Sequence, residues 1–201
     1  MNYLAHLYLA EHSDAGLLGS LLGDFVKGPL GDGYPEAIRR GIVLHRSIDS
    51  FTDAHPLHLE SRNRIGGARR RYAGIIVDVT YDHFLCRYWS DYSDDNLEWF
   101  VAHVYEILHE HRDELPDRLR RIAPHMIADD WLSSYGDLAN VGRALDGISR
   151  RITRRNPLAG AVTEIEANYP GLDDDFRRFF PDLETYARET RDALVQPPAS
   201  D

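Results

Sequence analysis

The chain has one cysteine, Cys86, and no apolar run approaching the roughly 18 residues that a membrane span needs. A lone cysteine excludes an intrachain disulfide and suits a reducing compartment. Cys86 is expected on a buried helix face, in an inert packing role. Basic charge is short as well: 23 Lys and Arg stand against 33 Asp and Glu, a formal net charge of -10. That balance argues against a general nucleic-acid binder, which advertises a basic face. The opening Met1-Asn2-Tyr3-Leu4-Ala5-His6 lacks a basic segment followed by an apolar one, so no signal peptide is read and a cytoplasmic protein is expected. Walker loops, dinucleotide fingerprints, Gly-x-Ser-x-Gly elbows and Cys-x-x-Cys pairs are missing, which argues against the chemistries they serve.

β-Branched alternation is also scarce, and apolar residues recur instead at three and four. With 201 residues and 43% hydrophobic content the chain can bury a substantial core. We read an all-α, single-domain helical bundle over 1–195 and a frayed C-terminal tail over 196–201. Ser13-Asp14 caps a helix expected to run to Gly28-Pro29, and Pro35 opens one that passes His45 and Asp49 towards His55-Pro56. A short helix over about 57–65 breaks at Gly66-Gly67, and a long one is expected from Arg69 to about Asp91. Later helices are expected over 94–112, 116–128, 136–154 and 158–167. A last one starts near Leu172, is interrupted at Pro181, and resumes over 184–194.

The chemistry concentrates between Asp24 and His83. At 100° per residue, Ile38, Ile42, His45, Asp49 and Asp53 fall in one stripe, so a face that begins by packing ends in an imidazole and acids. Burying such groups without partners costs several kcal/mol, so the stripe demands a metal, a salt bridge or a cleft. The alternative is a helix whose last turns emerge into solvent. Asp82 and His83 interrupt the apolar arc of Tyr72, Ile75, Ile76, Val79, Cys86 and Trp89, with Asp78 at its rim. They are either satisfied core residues or ligands. Asp24 opposes the negative end of its helix dipole among small and apolar neighbours, a placement that calls for a cation. Lys27 and Arg46 sit beside these candidates and are able to hold a phosphate. Carboxylate and imidazole ligands suit divalent manganese, iron, zinc or magnesium. His6, among Leu4, Leu7 and Leu9, reads as a hydrogen-bonded core histidine. His58, His103, His109, His111 and His125 read as surface residues.

Met1-Asn2-Tyr3-Leu4-Ala5-His6-Leu7, Leu21-Leu22-Gly23-Asp24-Phe25-Val26-Lys27-Gly28 and the run from Gly41 to Asp53 resemble the acyl carrier protein phosphodiesterase (holo-ACP hydrolase) family. Arg70-Arg71-Tyr72-Ala73-Gly74-Ile75, Tyr81-Asp82-His83-Phe84-Leu85 and Asp130-Trp131-Leu132 with Tyr135 extend the resemblance over almost the whole length. It implies an all-helical, manganese-dependent, unconventional relative of the HD phosphohydrolases that removes 4'-phosphopantetheine from the serine of holo-acyl carrier protein. The implied ligand set is Asp24, His45, Asp82 and His83, with Asp49, Asp53 and Asp78 as further candidates. Lys27 and Arg46 would offset developing charge, and Asp49 would orient His45 or take a proton. No His-Asp dipeptide exists here, only the reversed Asp82-His83, whose side chains point about 100° apart on one helix. The implied partner is an acidic carrier protein, for which Arg62, Arg64, Arg69, Arg70 and Arg71 form the expected docking patch, with Arg39 and Arg40 behind them. Two other readings stand beside this one. The first is an HD-like phosphohydrolase of a nucleotide or another small phosphoester. The second is a non-catalytic helical protein that binds carrier proteins.

Overall fold

Glycine at Gly19 and Gly41 lets two helices near the start of the chain touch backbone to backbone. In the computed structural model, which describes residues 1–195, these are α2 (Asp14–Leu22) and α3 (Glu36–Ala54). A Cβ at Gly19 would fall 2.4 Å from the Ile38 carbonyl oxygen, and one at Gly41 would fall 2.8 Å from that of Gly16. Ser13 caps α2 by accepting the Gly16 amide, as expected. The helix ends at Leu22, however, before the expected Gly28, which is left-handed (φ 79°) in the loop beyond. The next residue, Gly23, keeps right-handed helical backbone and carries the His45 ring of α3 directly against it.

Ahead of α2 lies α1 (Tyr3–Tyr8), which sequence periodicity did not show. Six residues are too few to be stable alone, and a tertiary contact holds them. The Asp82 carboxylate accepts the Leu4 and Ala5 amides at 2.9 and 3.0 Å, the task an N-cap side chain would perform. Asp82 belongs to α5 (Ala73–Arg87). The long helix expected from Arg69 is instead a 3₁₀ turn over Gly67–Tyr72, then α5, then the short α6 (Trp89–Tyr92). Arg69 draws the first part off the helical path by donating to the Pro157 and Ala159 carbonyls. Between α3 and that turn, α4 spans Pro56–Arg64.

The remaining helices are α7 (Leu97–Glu110), α8 (Asp117–Ala128), α9 (Trp131–Ser134), α10 (Leu138–Arg151) and α11 (Val162–Val195). The last runs unbroken through Pro170 and Pro181, where an interruption was expected. Both prolines are exposed, so the carbonyls they leave unpaired, on exposed Glu166 and Arg177, face water. The opposite face buries Leu172, Phe176, Phe179, Phe180 and Leu183 against α3, α4 and α5, and that burial outweighs two lost backbone bonds. No strand occurs among the described residues, and no helix is long and apolar enough to cross a membrane. The tail over 196–201 lies outside the described residues.

Candidate active site

Asp82 fixes the position of α1, and α1 turns His6 inward; α3 presents His45 and Asp49 one turn apart on the face it packs against α1 and α2. The two imidazoles stack, with centroids 3.6 Å apart and planes 13° from parallel. His6 Nε2 lies 3.0 Å from Asp49 Oδ1, and His45 Nε2 lies 3.4 Å from Oδ2 of the same carboxylate. One ligand atom from each of the three residues falls within 4.8 Å of the other two. Asp24, in the turn after Gly23, approaches His45 Nε2 to 3.8 Å. Both rings are buried, while Asp24 and Asp49 are less than half exposed and open the group to solvent.

Electrostatics prepares the donors. Burial and the neighbouring His45 ring hold His6 neutral, lowered from 6.5 to about 3. Burial would raise the Asp49 carboxyl, but hydrogen bonds from His45 and His6 outweigh it and keep the group well below its usual range. The Met1 ammonium lies 3.3 Å from Asp49 and 3.4 Å from Asp78. Asp78 in turn meets His58 at 3.2 Å, so His58 is buried here rather than at the surface. Two ring atoms, His6 Nδ1 and His45 Nδ1, are buried without a hydrogen-bond partner among the described residues. Two imidazoles beside two carboxylates make a donor set suited to a divalent ion of the manganese, iron or zinc type.

The other expected site residues fall elsewhere. Asp82 is wholly engaged with the start of α1, and burial pushes it up to about 7 against the pull of the two amides. His83 points away, its Nδ1 2.7 Å from the Tyr135 carbonyl and its Nε2 2.7 Å from the Tyr169 hydroxyl. Asp53 is exposed and pairs with Arg62. Lys27 is exposed in the loop after Asp24. Arg46 donates to the carbonyls of Val26 and Gly28 at 2.7 and 3.0 Å, so it pins that loop. Of the expected docking patch, Arg64 grips buried Asp175 with two hydrogen bonds of 2.7 and 2.9 Å, and Arg69 reaches Glu164. Arg70 holds Asn63, and Arg71 is exposed.

A family model described as acyl carrier protein phosphodiesterase matches residues 1–183. The chain belongs to that family. Proteins named acyl carrier protein phosphodiesterase include one from Yersinia pestis, 37% identical over 91% of this chain and 95% of its own length. The one from Photorhabdus laumondii is 35% identical over 90% of this chain and 92% of its own length. The one from Serratia proteamaculans is 35% identical over 94% of this chain and 98% of its own length. No solved structure matches the chain.

Family membership covers both halves of the His–Asp group, since His6 and Asp49 lie inside the matched span. His6 is the hydrogen-bonded core histidine that the sequence implied, and what the sequence did not show is its place against His45. The signal that would have found it is Asp82, an acid in a buried stripe that has to be satisfied by something, here the backbone just before His6.

Proposed function

We propose that this chain hydrolyses the phosphodiester that joins 4'-phosphopantetheine to the serine of holo-acyl carrier protein, giving the apo form. We infer also that a divalent metal, manganese before iron, magnesium or zinc, serves the reaction. The observation that carries this is the convergence of His6, His45 and Asp49 within 4.8 Å, beside Asp24, in a chain of this family. His6, His45 and Asp49 would hold the ion, with Asp24 as the fourth donor. A divalent ion there supplies Lewis acidity towards a phosphoryl oxygen and lowers the pKa of water.

The protein's own part is positioning. Asp49 fixes the faces of both imidazoles, so their donor atoms are set before anything binds. Asp24, partly open to solvent, is the carboxylate placed to take a proton from water, whereas Asp49 is held below its usual range by both imidazoles and serves to position them. Lys27 is free to approach the departing phosphate from the exposed loop, while Arg46 keeps that loop in place. Chelation should abolish release of the pantetheine arm, read by mass, and added manganese should restore it. Full turnover in protein shown by elemental analysis to be metal-free would overturn the metal reading. Turnover of a nucleotide but not of the carrier protein would overturn the substrate.

A further inference from the structure

One cleft of about 740 Å³ lies between the start of α1 and helices α8, α9 and α10, and its charge is the reverse of the chain's: four arginines and one aspartate line it. Arg143, Arg150 and Arg151 come from α10 and Arg118 from α8. His6, Asp24, His45 and Asp49 are not among its lining residues, so it is a site apart from the His–Asp group. None of the four arginines forms an ion pair among the described residues, where the paired arginines are others. Guanidinium nitrogens of Arg151 and Arg150 stand 3.6 and 3.9 Å from where a Gly147 Cβ would be, two like charges gathered over one bare point of helix. An anion between them would relieve that repulsion.

Charge decides what kind of anion. Four arginines against one aspartate leave three positive charges uncompensated. A single phosphate monoester carries about −1.5 to −2 and leaves the cleft positive, whereas a chain of two or three phosphates neutralises it. Guanidinium forks hold phosphate oxygens two at a time, which suits a ligand with many such oxygens. The rest of the wall is apolar and aromatic, with Tyr3, Trp131, Ile148 and Ile152. Arg151 lies 5.3 Å over the Trp131 ring, so charge and aromatic surface meet there. Asn2 also lines the cleft, and its side-chain nitrogen is buried without a hydrogen-bond partner among the described residues. A buried donor left unpaired costs free energy that an acceptor on a ligand would recover. The volume is that of a site for a small organic ligand.

We propose that this cleft binds a nucleoside polyphosphate, with the arginines on its phosphate chain and the wall at Trp131 and Tyr3 on its base. An inorganic polyphosphate would leave that wall and the Asn2 donor unused, and a nucleoside would leave the arginines unpaired. The nucleotide is held here as a ligand and no bond in it is cut, so the proposal stands independently of the phosphodiesterase reading.

The test is calorimetric titration at low salt with a chelator present, which keeps metal-held nucleotide off the His–Asp group. The probes are adenosine triphosphate, guanosine triphosphate, inorganic tripolyphosphate and adenosine. The proteins are the wild type, the double variant Arg150→Ala/Arg151→Ala, and Arg118→Ala on the other helix. All three side chains are exposed and no ion pair is lost, so both variants should fold, and thermal melts check this. The wild type should bind at least one of the two nucleotides tenfold or more tightly than it binds tripolyphosphate or adenosine. The double variant should lose that binding by tenfold or more and Arg118→Ala by about threefold. Tripolyphosphate held as tightly as both nucleotides would make the cleft a plain anion patch and overturn the proposal. Unchanged nucleotide binding in both variants would place the ligand elsewhere and overturn it too. Tighter binding of apo-carrier protein than of either nucleotide, lost in the same variants, would make the cleft a docking face and equally overturn it.

Discussion

His6 contributes two things at once, a buried apolar ring packed on His45 and a nitrogen aimed at Asp49. His6→Ala should remove most arm release and lower the manganese content, while thermal melting still shows a cooperative fold. Asp24→Asn should do the same to release with little effect on stability, since that side chain is 43% exposed. A His6→Ala protein with normal manganese content and turnover would remove His6 from the site. The same residue predicts how metal-free protein responds to acid. Folded His6 is held at about 3 and unfolded His6 titrates near 6.5, so the unfolded chain takes up the extra proton between those values. The contribution of His6 should therefore be fully present above about pH 6.5 and be lost as the pH drops towards 3, while Asp82, raised to about 7, adds stability as the pH falls from 7 towards 3.8. Asp49, depressed below its ordinary 3.8, extends the His6 loss in the same direction. Melting temperatures of chelated wild type and His6→Leu across pH 7 to 4 check this: the wild type should lose stability relative to His6→Leu as the pH falls, and parallel profiles would overturn it.

At the scale of elements, three glycines and one arginine decide whether those residues meet. α2 and α3 cross at Gly19 and Gly41, and the same crossing brings Gly23 under the His45 ring. A Cβ at Gly23 would fall 2.2 Å from His45 Cγ, so Gly23→Ala must move either the ring or the turn that carries Asp24. We expect Gly23→Ala to cost on the order of 1–3 kcal/mol of stability, as overpacking does, and to weaken manganese binding more than it weakens the fold. Calorimetric metal titration beside a denaturant melt separates the two effects, and wild-type metal affinity would show that the turn does not position the site. Arg46 acts from the other side of the same loop, holding two of its carbonyls, so the expected anion-binding arginine is a brace here.

Over the whole molecule, arginine divides into two populations. Arg64, with Asp175, Ser61 and Tyr81, forms a buried polar knot that ties α4 and α5 to α11. Arg69 ties the 3₁₀ turn to the segment before α11. Reversing Arg69 to Glu would set it against Glu164 and leave two carbonyls without a donor, a loss on the order of 2 kcal/mol. Arg71→Glu touches nothing comparable and should stay within about 0.5 kcal/mol of wild type. Denaturant melts of the two single variants check the contrast; equal stability would mean that Arg69 is not structural. Arg118, Arg143, Arg150 and Arg151, which form no ion pair among the described residues, line one cleft with a single aspartate and set a local positive field there on a chain of net charge -10.

The sequence by itself determined the helical class, the Ser13 cap, the span of α3 and the stripe that brings His45 and Asp49 to one face, because each depends on contacts within a turn or two. Apolar spacing also marked Asp82 as a buried acid without saying what it meets. Only the tertiary structure decided that its partners are two amides 77 and 78 residues away, and so that α1 exists and His6 faces His45. It likewise turned His83 towards Tyr135 and Tyr169, left Asp53 at the surface with Arg62, and carried α11 through two prolines. Local pattern fixes which face a residue occupies on its own helix. What that face meets depends on how closely two backbones approach, and here glycines at Gly19, Gly23 and Gly41, with no side chain for any periodicity to register, set that distance.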